Sequence, residues 1–380
     1  MSRARRLPRP LHPVAWWVWA LGLAVAASRT TNPLLTGLVI AVAAVVVARR
    51  RPDAPWAAGF RMFLVLGLTV VAIRVVLRAL LDGSADGHVL FTLPEVPLPE
   101  AAAGIRLGGP VTAEGLLAAL YDGLRLAALI VCFGAASSLA DPKRLLKHLP
   151  GALHELGVAA TVAVAVAPQV VVSAGRVRRA HRLRGATVHR RHVLRALAFP
   201  VLEDALERSV ALAAAMDARG YGRRAAVPAS WRRATAVCTL AGLAGICVGT
   251  YGTLDATAPR ALGLPVLAAG AALAAAGLLL AGRRVRRSIY RPEPWLAPEW
   301  GVAACGVLAA AVLVTSGATD ALHPPLQPLT WPSLPPGPTV ALLVAAAPGW
   351  IAPPPERTPA PADTAPATPA GRRAREVAAA

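Results

Sequence analysis

Apolar and polar residues follow one another along this chain in long blocks rather than in short strand-like alternations. Apolar runs fall at about 13–30, 33–48, 60–81, 114–139, 232–252, 261–281 and 299–316, with a shorter one near 338–352. About 20 apolar residues carry a helix across roughly 30 Å of hydrocarbon, so each long run predicts a membrane span. The intervening blocks are of two kinds. Arg3, Arg5, Arg6 and Arg9, the run Arg49-Arg50-Arg51, the group Lys143, Arg144 and Lys147, the block from Arg176 to Arg224 and the run from Arg283 to Arg287 are basic. The stretches at about 82–112, 253–260 and 317–337 carry few basic residues. Positive charge marks cytoplasmic loops, so the first set faces inward and the second outward. The prediction is an all-α polytopic membrane protein of about seven or eight spans with a cytoplasmic helical domain. Eight spans put both termini in the cytoplasm, and hydropathy alone leaves open whether the run near 338–352 crosses fully.

One apolar segment does not fit the alternation. Leu156 to Ser173 looks able to span, yet basic clusters flank it on both sides. A single crossing would strand one cluster outside. The segment is therefore expected to lie at the cytoplasmic boundary, packed against protein and kinked at Pro168. The predicted organisation is then 1–140, transmembrane helices 1–4; 141–230, the cytoplasmic domain; 231–352, C-terminal transmembrane helices; and 353–380, a Pro/Ala-rich cytoplasmic tail expected to be disordered.

Composition sharpens the class. Of 380 residues, 56% are hydrophobic and 16% charged, against about a quarter charged in soluble domains, which excludes an ordinary soluble protein. The net charge of +20 sits almost wholly on arginine, between apolar runs and without an aromatic stacking surface, so nucleic acid is not the expected partner. The bilayer is. Cys132, Cys238, Cys247 and Cys305 lie singly in apolar stretches and read as small core or lipid-facing residues, with no metal or disulfide framework. The basic, apolar N-terminus resembles a signal peptide, but the long runs after it favour an uncleaved first span.

Between Val177 and Arg224 hydropathy falls and charge rises without a linker's texture. After Pro200, read as a first-turn residue, Val201, Leu202, Ala205, Leu206, Val210, Leu212 and Ala213 form an apolar stripe at helical spacing. Glu203, Asp204 and Glu207 are placed in the opening turns. Gly220 is the expected left-handed stop after Ala218-Arg219. An earlier helix ends similarly at Leu183-Arg184-Gly185. Both project an arginine, a rigid and permanently charged fork, from a helix tip.

These two Arg-Gly helix ends, in the phrases RRAHRLRG and AAAMDARGYG, resemble the coupling motifs of the transmembrane T component of energy-coupling factor transporters, the CbiQ-like family. The resemblance continues upstream through TAEGLLAALYDGLRLAALIVCFGAASSLADPKRLLKHL and takes in TTNPLL before the second span. The first motif departs in having Leu183 where the family usually has alanine. The resemblance implies a multi-pass scaffold of the bacterial cell membrane with no catalytic residue and no cofactor of its own. Two ATP-binding-cassette subunits, which bind ATP and Mg, would receive the tips. A separate small membrane subunit would capture a vitamin or transition-metal ion. Arg184 and Arg219 would be the docking charges, with Gly185, Ala218 and Gly220 setting their approach. Val201, Leu202, Leu206, Val210 and Ala213 would contact the substrate-binding subunit or pack internally.

Two other classes remain to be weighed. A membrane enzyme acting on phosphorylated lipid would need acidic metal ligands or a base; Asp122, Asp141, Glu155 and Asp217 form no paired-carboxylate motif, and His148/His154 or His189/His192 could bind a metal, but flanking arginines disfavour a cation. A channel or secondary carrier usually reveals an ionisable residue in mid-span. Arg74, Arg78 and Arg125 are the candidates, and structural roles are expected for them, snorkelling for Arg78 and a place in the family's own pattern for Arg125.

Overall fold

The computed structural model describes residues 10–53, 59–81, 87–96, 107–148, 153–183, 193–221, 228–255, 259–282, 293–317 and 319–354. The described residues are helical, with one β-hairpin. Its elements are α1 (Pro13–Ser28), α2 (Pro33–Arg50), α3 (Phe60–Leu81), β1 (Val89–Val96), β2 (Leu107–Thr112), α4 (Ala113–Leu139), α5 (Pro142–Lys147), α6 (His154–Leu183), α7 (Val193–Ala218), α8 (Ala229–Leu254), α9 (Leu264–Gly282), α10 (Ala297–Thr315), α11 (Pro336–Val344) and α12 (Pro348–Ile351). Among the described residues seven helices are long and apolar enough to cross a membrane: α2, α3, α4, α6 over Glu155–His181, α8, α9 and α10. The set differs from the predicted one at two places. Helix α1 has 16 residues, about 24 Å of rise, and falls short of that length, whereas α6 meets it. The chain divides into two compact units, 1–142 with 293–380, and 143–292.

In the first unit α1, α2, α4, α10 and α11 share one core around Trp19, Leu23, Val39, Val46, Val131, Val302, Leu313 and Leu342. Helices α1 and α10 cross at Gly22 and Gly306, where a Cβ on Gly22 would enter the backbone of Gly306 and one on Gly306 the backbone of Trp19. Small residues permit that approach, and lipid-embedded helices rely on such contacts because the hydrophobic effect does not drive them together. The Trp19 indole donates to Ala345 O at 2.9 Å, at the break between α11 and α12. A carbonyl released inside the membrane is thereby satisfied.

Polar contacts fix the sense of each segment. At one end of α2, buried Asn32 caps the helix by accepting from Leu34 N and donates to Ala321 O at 2.8 Å and Ser333 O at 2.7 Å. Thr30 adds a bond to Leu322 O at 2.7 Å. At the other end Arg50 donates to Gly349 O and Trp350 O, both at 3.0 Å, and the Arg49 guanidinium lies 4.1 Å from the Trp350 ring centroid. The segment from Ser333 to Trp350 therefore accompanies α2 along its whole length. His12 stacks near Trp295, placing the starts of α1 and α10 at the same face as Arg49. Arg125 of α4 donates to Ser28 O at the far end of α1, and Phe133 packs on Trp17 at 5.4 Å, so α4 runs back toward that face.

The chain thus leaves this unit at Pro142 and re-enters at Glu293 on the face that carries Arg49 and Arg50. The number of crossings between those points must be even. Helices α8 and α9 form an antiparallel pair, with Gly242 against Ala274 and Gly249 against Leu267, and supply two. A lone crossing by α6 would make the count odd.

In a cysteine-free background, Trp331→Cys, on a fully exposed side chain of the outer segment, should react with a membrane-impermeant thiol reagent in intact cells. Leu183→Cys at the end of α6 and Pro354→Cys should not react until the membrane is opened. External labelling of Leu183→Cys would show that α6 crosses.

Candidate functional site

The site begins with how α7 ends. Gly220 takes φ +77°, its N–H bonds Asp217 O at 2.8 Å, and Tyr221 N–H bonds Met216 O at 3.0 Å. This pair of bonds satisfies two terminal carbonyls that the helix cannot reach itself, and it needs a residue free to adopt a left-handed backbone. Gly220 was expected to act in this way. Ala218 is the last helical residue, and Arg219 follows as an exposed cap residue beside the negative end of the helix dipole. Helix α6 ends at Leu183, whose side chain is 89% exposed. Arg184 and Gly185 lie outside the described residues, as do His189, His192, the run Arg283–Arg287 and the tail from 355.

The start of α7 corrects the sequence reading. The helix runs from Val193 through Pro200, so that proline is interior and Glu203, Asp204 and Glu207 lie in mid-helix rather than in the opening turns. Proline removes only its own N–H bond and crowds the preceding turn, and the helix-forming residues before it extend the helix past that defect.

Displaced from the first turn, Asp204 has another task. The Ser173 hydroxyl of α6, on a buried side chain, donates to Asp204 Oδ2 at 2.5 Å. Arg208, one turn on, grips the same carboxylate through Nε at 3.0 Å and Nη2 at 2.9 Å, and its Nη1 reaches Gln169 Oε1 at 3.5 Å. Bidentate charged bonds of this kind set orientation as well as energy. The Ser173 bond first, then Arg208 and the nearby charge of Arg176, hold the Asp204 carboxyl below the ordinary carboxylate range. A lowered value means that the native contact favours the ionised form, so its contribution is complete above the ordinary range and is lost as pH falls through the lowered value. At neutral pH the Asp204 carboxylate is therefore ionised. Sequence reasoning named Asp204 only as an N-terminal charge, although its i,i+4 spacing to Arg208 was legible.

The apolar positions of α7 divide by face. Val201 and Ala205 are half-buried, on the side of Asp204 and Arg208. Leu202, Leu206, Val210 and Ala213 are exposed, and Phe199 extends the same row. Internal packing therefore does not absorb the stripe among the described residues.

The arginines noted in the spans also find roles. Arg125 holds the end of α1, and Arg74 of α3 pairs with Asp122 of α4 at 3.4 Å. Near the outer end of α4, buried Glu114 accepts from the His88 backbone at 2.9 Å and faces its ring nitrogen at 2.7 Å, tying the β-hairpin to the helix. Among the described residues none of these forms a catalytic pair.

No curated protein matches the chain. The family described as CbiQ, cobalt transport protein, matches residues 4–228, more than half of the sequence, and covers α1 to α7 with the whole crossing and the Arg219 tip. This is a multi-pass membrane chain that belongs to the CbiQ cobalt transport protein family.

Proposed function

We propose that the chain is the coupling scaffold of an ATP-driven energy-coupling factor importer in the cell membrane. Two ATP-binding-cassette subunits receive the helix tips at Arg219 and Arg184, and a small membrane subunit captures a vitamin or transition-metal ion. The observation that carries this reading is the exposed arginine at a rigid, glycine-stopped helix end, on a helix locked to its neighbour by Ser173, Asp204 and Arg208. Family membership supports a role in transport. The ATPases bind ATP and Mg and do the chemical work. Their closure moves the tips, and the locked pair α6 and α7 carries that movement as one body to the membrane partner, with the exposed row Leu202, Leu206, Val210 and Ala213 as the contact.

Each docking arginine has a guanidinium with five donors in a fixed fork, which an ammonium cannot imitate. Charge-assisted bonds contribute about 1.5–3 kcal/mol each, so losing one or two weakens docking by roughly tens to hundreds of fold. Arg219→Ala or Arg184→Ala should depress cellular uptake more than ATPase recovery in a detergent pull-down, and the double change should release the ATPases. Arg→Lys should fall between, and Arg182 and Arg223 should matter less. Normal assembly and uptake by the double alanine variant would refute the coupling role.

The lock generates a separate expectation. Asp204→Asn keeps the shape and removes the charge that Arg208 grips, so the ATPases should still bind while uptake falls several-fold. Wild-type uptake by this variant would show that movement does not pass through the crossing.

A further inference from the structure

Bonds at the two ends of α2 set two levels one membrane thickness apart. Asn32 at the outer end donates to Ser333 O, while Arg50 at the inner end donates to Gly349 O and Trp350 O. The 18 residues of α2 rise about 27 Å, close to the roughly 30 Å of a bilayer's hydrocarbon. The exposed tryptophans of the first unit keep to these levels. Among its described residues they are Trp350 at 57% and Trp300, in the first turn of α10, at 64% on the inner side, and Trp331 at 97% on the outer side.

Trp331 lies two residues from Ser333, at most about 7 Å of chain. That distance is comparable with the headgroup layer, which adds about 5–7 Å outside the hydrocarbon on each face. Leu329 and Leu334 are also exposed on either side of it. From Thr319 to Pro335 there is no lysine or arginine, so attraction to anionic lipid does not hold this segment.

An indole exposed to 97% must be met by its surroundings on nearly every side. Water gives its rings no apolar contact and hydrocarbon gives its N–H no acceptor, whereas the headgroup layer offers both. The inner level repeats the arrangement at Trp300 and Trp350. Exposed indoles confined to two levels, one hydrocarbon thickness apart, identify the bilayer rather than a second protein as their common neighbour.

We infer that Trp331, flanked by Leu329 and Leu334, is a membrane anchor that inserts into the headgroup layer of the outer leaflet and holds the segment from Thr319 to Pro335 against the lipid surface. The headgroup layer is hydrated, so this placement agrees with labelling of Trp331→Cys from outside. The anchor does not depend on the coupling role.

The test reconstitutes the full chain, with any subunits that copurify, into phosphatidylcholine vesicles. Subtracting the emission of Trp331→Phe from that of the wild type isolates the Trp331 signal, and equal melting temperatures of the two proteins show that the fold is kept. Lipid brominated at the headgroup end of its chains should remove about half of that signal or more, as expected for an interfacial indole. Lipid brominated near the chain ends, and iodide present on both sides of the membrane, should each remove less. Iodide as the strongest quencher places the indole in water, the deeper bromine as the strongest places it in the hydrocarbon, and a signal that no quencher reaches places it under protein; each overturns the inference. Should Trp331→Phe not fold, Leu329→Cys in a cysteine-free background carries a nitroxide instead. Stronger relaxation by oxygen, which collects in lipid, than by a water-soluble nickel chelate supports the anchor, and the opposite order overturns it.

Discussion

Hydrocarbon does not tolerate an unpaired charge or an unbonded peptide group, and that constraint determines the architecture of the first unit. Its buried acids, Glu114 and Glu299, sit in the opening turns of α4 and α10, where the helix dipole favours them and backbone N–H groups bond them. Arg125 closes the end of α1 and Trp19 closes the break after α11. Thr30 and Asn32 are buried beneath the outer segment because their hydrogen bonds to Leu322, Ala321 and Ser333 compensate for lost water. Those partners lie beyond the residues 4–228 that the family model matches, so the C-terminal helices are built into the core of this unit rather than appended to it.

The two units use apolar surface differently. Around Trp19 and Leu23 the large side chains are fully enclosed. Along α7 they are not, since Leu202, Leu206 and Val210 are each more than half exposed. A helix that leaves such a row open gains little from its own packing, so its stability rests on the polar lock to α6 and on whatever covers the row.

Long apolar runs and arginine clusters made the spans legible, and Ala218-Arg219-Gly220 made the end of α7 legible, because both signals are local. The β-hairpin was read as a plain loop, since Pro94 and the glycines of β2 obscure a two-stranded pattern whose register exists only after pairing. The start of α7 was misplaced because Pro200 favours a first turn by local rule, although the surrounding residues continue the helix. Ser173 meeting Asp204, Asn32 meeting Ser333 and Arg50 meeting Trp350 depend on residues tens to hundreds of positions apart, and no periodicity announces them.

The positions of the interior prolines connect these themes. Pro168 precedes Ser173 by five residues, and Pro200 precedes Asp204 by four. Each proline deletes one backbone bond, so each helix is weakest just before the crossing. Beyond the crossing neither helix contains another proline, and from Asp204 to Arg219 the chain rises about 22 Å without such a defect. Force applied at the Arg219 tip therefore meets an unbroken rod as far as the lock, and bending concentrates on the far side of it. Under the proposed coupling role, a proline between the lock and the tip would place the compliant point where movement would have to be carried, whereas the observed order leaves tip and crossing on one uninterrupted stretch of helix.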